Sequence, residues 1–305
     1  MLRSQLSLTG FAAAMMTVLV TAGWQITTRY GVTTDLSPID LALLRYGLPG
    51  LILLPMLARI SPFPPGVGRG SLLLIVAGSG LPFGLLAILA ASHAPVAHMG
   101  ILLPGGIMAF VALLTVWISG QKLPFPLFVG TILIGGGIAI LAAGTVATMS
   151  TKTFAGDALF LLAAFMWAGY TLALRGSGLT AWHATGISAF WSLVMILPLW
   201  LLFHEGRLFA ASITDLGLQI LVQSVLAGVV AVWSYSVAIR ELGPMRTAAI
   251  GGLIPVLSGS GGALFLHEPL GILQAVSAIL VLCGVLISTG ILPAKVPKLP
   301  RRVSP

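Results

Sequence analysis

Arg45 lies inside an apolar run, about two turns from the end of a stretch near 37–58. A guanidinium at that depth in hydrocarbon costs roughly 3 kcal/mol or more unless it is paired or hydrated. Asp40 is five residues away, about 140° round a helix of 3.6 residues per turn, so a pair within the helix is awkward. Arg45 is therefore free to meet another helix or an anionic ligand group, with snorkelling or a tie to carbonyls as the structural alternatives. Other side chains offer surfaces to such a ligand. Thr17, Thr21, Trp24 and Thr28 share one face of a helix near 7–29, with Gln25 beside them. Trp24 is near the end of that helix and also reads as an aromatic-belt residue, whereas Trp167, with Tyr170, is near the middle of its own run. Gln219, Gln223 and Ser234 lie on one face of a later run, where hydrocarbon would penalise them, so that face should turn inward. The candidate substrate-binding set is Arg45, Trp24, Gln25, Trp167, Tyr170 and Gln223. Coupling to protons requires a group that titrates, and His98, Asp40 and Glu268 are the candidates near such a path.

The elements that position these residues are long and apolar. Lys and Arg number 15 and Asp and Glu only 7 among 305 residues, and they fall between runs of about 20 residues, long enough for a helix to cross a bilayer. Backbone polar groups in lipid must be paired internally, so the fold class is an all-α polytopic membrane protein. The 37 glycines fit closely packed helices. Ten transmembrane spans are predicted near 7–29, 37–58, 71–92, 95–118, 125–146, 156–175, 183–203, 217–239, 245–266 and 270–292. With the N-terminus inside, only Arg29, Lys152 and Arg207 fall on the outer side, and the other Lys and Arg residues, Arg45 apart, fall inside. This asymmetry predicts a plasma or inner membrane protein with both termini cytoplasmic. The basic residues are scattered, not interleaved with aromatics, so the net charge of +8 reads as a topology signal and no nucleic-acid partner is expected.

The two halves resemble each other. At an offset of 146, Gly10, Gly23, Trp24 and Arg29 fall over Gly156, Gly169, Tyr170 and Arg175. Five spans per copy is an odd number, so the copies enter the membrane in opposite directions, the inverted plan of many secondary transporters. The units predicted are 1–147, 148–292 and a basic tail, 293–305. Pro104 and Gly105 in the fourth span and Pro255 in the ninth predict paired helix interruptions near the bilayer midplane, with plain helix packing as the alternative for the glycines.

The run from Gly243 to Gly271, GPMRTAAIGGLIPVLSGSGGALFLHEPLG, resembles the second-half signature of the EamA family in the drug/metabolite transporter superfamily. Pro255 stands for its mid-helix proline and Glu268 for the acid after the helix. The first-half counterpart, Ala94 to Pro124, is similar but carries Gln121 and Lys122 where the family often has Gly-Glu. The resemblance implies a ten-helix carrier of small metabolites working by alternating access, with helices 1–4 and 6–9 as the moving core.

The expected function is secondary active transport of small metabolites, amino acids or related polar or amphipathic compounds, with export favoured by the family resemblance. A channel or a structural membrane subunit is the main alternative. An intramembrane enzyme is less favoured, because G-x-S-x-G, H-E-x-x-H and the Walker pattern are absent. No cofactor or metal is expected. The partners expected are a small-molecule substrate and the lipid bilayer, and a homodimer is left open.

Overall fold

The computed structural model describes residues 7–34, 36–52, 54–57, 61–120, 122–148, 150–242 and 244–289. The basic tail predicted over 293–305, with Arg3 and Arg59, lies outside the described residues. The described chain is helical, with no strand among the described residues. Eight stretches of it are long and apolar enough to cross a membrane: Leu8–Thr33, Arg69–His93, Val96–Ile118, Phe125–Ala147, Thr151–Ser177, Trp182–Phe203, Ile213–Leu242 and Thr247–Phe265. Apolar side chains such as Leu19, Trp117, Ile132 and Leu201 cover the outside, a surface suited to lipid and not to water.

The other two predicted spans are shorter or broken. The second appears as α2 (Pro38–Ala42), a π-helical turn over Leu43–Gly47, α3 (Leu48–Ile52) and α4 (Leu54–Leu57). Proline explains the interruptions: Pro49 and Pro55 have no N–H to offer the carbonyls four residues earlier, those of Arg45 and Leu51. The tenth is Ile272–Ser288, 17 residues, and 290–292 of its predicted range lie outside the described residues.

With α1 over Leu8–Thr33, the remaining helices follow in order as α5 (Arg69–Ser79), α6 (Leu81–His93), α7 (Val96–Ser119), α8 (Phe125–Ala147), α9 (Thr151–Ser177) and α10 (Ala181–Phe203). After the short α11 (Arg207–Ala210) come α12 (Ile213–Gln219), a second π-helical segment over Ile220–Val230, α13 (Ala231–Leu242), α14 (Pro244–Gly251), α15 (Ile254–Phe265) and α16 (Ile272–Ser288). The third predicted span divides at Gly80, where Pro82 cannot continue the ladder, and Ser192 Oγ accepts the N–H of Leu81 at 2.9 Å instead.

The predicted interruptions in the fourth and ninth spans come out differently. The ninth parts at Gly252 and Leu253, between α14 and α15, with Pro255 just inside α15. In contrast, α7 runs unbroken through Pro104 and Gly105. A Cβ on Gly105 would lie 3.2 Å from Val281 of α16, and one on Gly106 would lie 2.9 Å from Ala164 of α9. The first-half glycines thus let α7 pack closely between neighbours, and the helix continues through Pro104 despite the carbonyl that the proline leaves unbonded.

At the centre, α9 packs on α5, α6 and α7, while α1 packs on α13 and α15. The main core joins Trp24, Phe83, Met99, Ile101, Phe160 and Val281. To one side, α8 and α16 pack against each other where Gly130 and Gly284 face, each backbone occupying the space a side chain on the other would need.

Candidate functional site

Two π-helical segments face each other beside α1, and they carry the side chains with the most distinctive chemistry. A π turn leaves its backbone less tightly bonded than an α turn and recurs at functional sites. Ser224 Oγ, on the second segment, donates to the carbonyl of Leu44 on the first at 2.6 Å, fixing one against the other. Arg45 projects from the first. Its Cζ sits 4.2 Å from the centre of the Trp24 ring and 5.7 Å from that of Tyr46, a distance at which the ring faces attract the cation.

The guanidinium is not satisfied by these rings. Arg45 Nε and Nη1 are buried with no hydrogen bond of good geometry to a described residue, and the Tyr46 hydroxyl lies beside the guanidinium and the Gly84 backbone. Asp40, the nearest acid in sequence, is already engaged. It forms a capping box with Ser37, whose N–H and hydroxyl donate to Asp40 Oδ2 at 3.1 and 2.6 Å, and Trp200 Nε1 donates to Oδ1 at 2.8 Å. Asp40 is fully buried as the start of α2 and anchors α10.

Trp24 is 5% exposed and lies in the core, which corrects its reading as a belt residue. Its indole N–H donates to Gln223 Oε1 at 2.9 Å, and that bond draws it inward. Gln223 Nε2 donates to Thr28 Oγ1 at 3.0 Å and to Gln219 Oε1 at 3.3 Å, and Gln219 Nε2 donates to the Thr27 carbonyl at 2.8 Å. Thr17 and Ser234 continue the same seam with hydroxyls 2.8 Å apart. The polar face of α1, at Thr17, Trp24, Thr27 and Thr28, is therefore met by Gln219 of α12, Gln223 of the second π segment and Ser234 of α13. Neighbouring aromatics extend the wall: Phe83 and Trp167 lie 4.8 Å apart and Trp167 and Tyr170 5.3 Å, with Phe83 and Trp24 in one apolar cluster. Gln25 turns away from Arg45 and accepts a hydrogen bond from Ser258 Oγ of α15, tying those helices where Gly100 lets α7 approach.

The other titratable candidates, Glu268 and His98, belong to two separate polar clusters. Arg29 Nε donates to Glu268 Oε1 at 2.7 Å and Nη1 to the Ala91 carbonyl at 2.6 Å, while Glu268 Oε2 accepts the N–H of Val96 at the start of α7 at 2.8 Å. One ionic cluster thus joins α1, α6, α7 and the turn after α15. His98, one turn into α7, is 3% exposed, and its Nδ1 is 2.7 Å from Asp157 Oδ1 on α9. Thr145 Oγ1 of α8 donates to Asp157 Oδ2 at 2.9 Å. Reading the sequence for basic residues in apolar runs passes over Asp157, although an acid beside Gly156 at the head of such a run is the same kind of signal.

No curated protein matches the chain in sequence. A solved crystal structure superposes on it with a TM-score of 0.58, covering 95% of this chain and 99% of that one at 17% identity, a likeness of fold. Residues 154–290 match the model of the EamA-like transporter family. That second half is thus similar to the EamA-like transporter family, within the drug/metabolite transporter superfamily.

Proposed function

We propose that this chain is a secondary active exporter of small metabolites, amino acids or related polar or amphipathic compounds, working by alternating access. The observation that carries the reading is Arg45, a cation held on the Trp24 ring with two buried N–H-bearing nitrogens that make no hydrogen bond of good geometry to a described residue. Unmatched donors at that depth are costly, and a carboxylate or another oxyanion of a substrate would satisfy them. The row from Phe83 through Trp167 to Tyr170 supplies an apolar wall for the remainder of an amphipathic molecule.

The same reading includes ten spans in two inverted repeats, 1–147 and 148–292. The pairing of helices supports it. α1 packs on α13 and α15, and its repeat mate α9 packs on α6 and α7, the elements that correspond under the repeat. The matched glycines agree in detail: a Cβ on Gly10 would meet Leu242 at the end of α13, and one on Gly156 would meet Ala94 at the end of α6. With both termini cytoplasmic, Arg29, Glu268, His98 and Asp157 lie toward the outer face, and substrate entering from inside would reach Arg45 with that end closed.

The test is uptake of labelled amino acids and related metabolites into liposomes containing the purified protein, with and without unlabelled compound inside. Saturable counterflow of one compound is the expected result. Flux that neither saturates nor responds to preloading would favour a channel, and absence of flux would argue against transport.

A further inference from the structure

We infer that His98 and Asp157 form the proton-binding site through which export is coupled to a proton gradient, an inference that rests on the transporter reading above. Four buried or half-buried carboxylates among the described residues stand in or beside the apolar spans, and their partners distinguish them: Asp215 is held by the Ser212 and Tyr30 hydroxyls. Asp40 is held by the Ser37 N–H and hydroxyl and the Trp200 indole, a set of fixed neutral donors. Glu268 is held by Arg29, a permanent cation, and by the Val96 N–H. Asp157 alone of the four faces an imidazole, a side chain that can take up and release a proton at a ring nitrogen.

The chemistry of the pair is simple. With His98 neutral, one proton sits between Nδ1 and Oδ1, and Thr145 donates to the other carboxylate oxygen. A second proton taken from water at Nε2 converts the pair to imidazolium and carboxylate, neutral in sum, so the site loads a proton without a net charge being left in hydrocarbon. Release returns the proton to water and leaves Asp157 as the surplus charge, which weakens the reason for α7 and α9 to stay together at this point. The pair joins helices of opposite halves of the chain, the contact that a rocking motion between halves must alter.

Few other charges act on it. α8 and α15 carry no Asp, Glu, Lys, Arg or His, and α16 offers only Cys283 as a titratable group. α6 ends in His93, whose ring is exposed and bonded to Ser92 and the Leu89 carbonyl. α1 presents Arg29, and the turn after α15 presents Glu268 and His267, of which Arg29 and Glu268 neutralise each other. On α9, Lys152 is exposed one turn before Asp157, and Arg175 is at the opposite end of the helix. Arg69, at the start of α5 against α9, is likewise at the opposite end. The charge of the pair is thus set chiefly by its own proton.

The experiment measures two fluxes of labelled amino acids in the same liposomes: counterflow at equal pH on both sides, and accumulation driven by an imposed pH gradient, with an internal pH dye reporting proton movement. Wild-type protein is expected to show both, with substrate-dependent proton flux. His98→Gln, which keeps a hydrogen bond to Asp157, is expected to retain counterflow and lose gradient-driven accumulation and proton flux together. Asp157→Asn serves as the second variant, with the same expected split. A structural tie would instead lower both fluxes in parallel, and that result would overturn the proposal, as would gradient-driven accumulation that persists in His98→Gln. Should neither variant insert, wild-type counterflow that moves no protons overturns coupling and leaves the carrier reading intact. Absence of counterflow in wild type removes the carrier reading and the coupling with it.

Discussion

Arg29 and Arg45 are both arginines set into the apolar body of this protein, and they are treated in opposite ways. Arg29 has a carboxylate at 2.7 Å and a backbone carbonyl at 2.6 Å, and its carboxylate is itself completed by the Val96 N–H. Arg45 has two ring faces and, at Nε and Nη1, no hydrogen bond of good geometry to a described residue. The first arrangement is finished and joins four elements. The second is unfinished in the way a binding site is before its ligand arrives, and it lies on a π turn. Under the proposed function, satisfied charge marks structure in this fold and unsatisfied charge marks the candidate site.

Replacing Arg45 with Met should test that contrast most severely. Transport of an anionic substrate is expected to be lost, because no other described cation stands at the Trp24 face. Stability should not fall: removing unpaired donors relieves about 1–3 kcal/mol, so the thermal midpoint of purified Arg45→Met should rise or hold. A large fall in that midpoint would show that Arg45 is a structural tie after all, and unchanged transport would remove it from the site.

Arg29 should behave in reverse. Glu268→Gln leaves the guanidinium without its counter-charge and is expected to destabilise by about 3 kcal/mol, the lower end for buried pairs because both side chains keep some exposure. Adding Arg29→Gln should recover part of that loss, since neither charge is then stranded, and thermal unfolding of the two single variants and the double variant measures the recovery. Strictly additive losses would mean that the ion pair contributes nothing as a pair.

How far this contrast was legible in the sequence depends on what each residue needs for its partner. Arg45 stood out because a charge within an apolar run is visible without a structure, and the face of α1 followed from helical spacing alone. The burial of Trp24 did not follow, since its position near a helix end suits a belt residue, and only Gln223, 199 positions on, draws it inward. The π turns were hidden because no local pattern marks them, although Pro49 does mark the place where the ladder fails. Pro104 and Pro255 look alike in sequence, yet only the second accompanies a break, while α7 continues through Pro104 where Gly105 and Gly106 pack closely on α16 and α9. Asp157 went unread because its meaning comes from His98, on a helix in the other half of the chain.

The smallest effect lies within the same broken segment as Arg45 and so tests the contrast at closest range. Ser37→Ala removes the hydroxyl that accepts from the Asp40 N–H and donates to its carboxylate, while Trp200 still holds the other oxygen. Loss of such a cap costs about 1 kcal/mol. The thermal midpoint should fall slightly and transport should stay near wild type, because Asp40 finishes the start of α2 and the π turn carrying Arg45 is fixed separately, by Ser224 on the Leu44 carbonyl. A transport defect as deep as that of Arg45→Met would show that the capping box sets the position of Arg45, and the line between finished structure and open site would then have to be drawn around the whole of 37–47 instead of around one side chain.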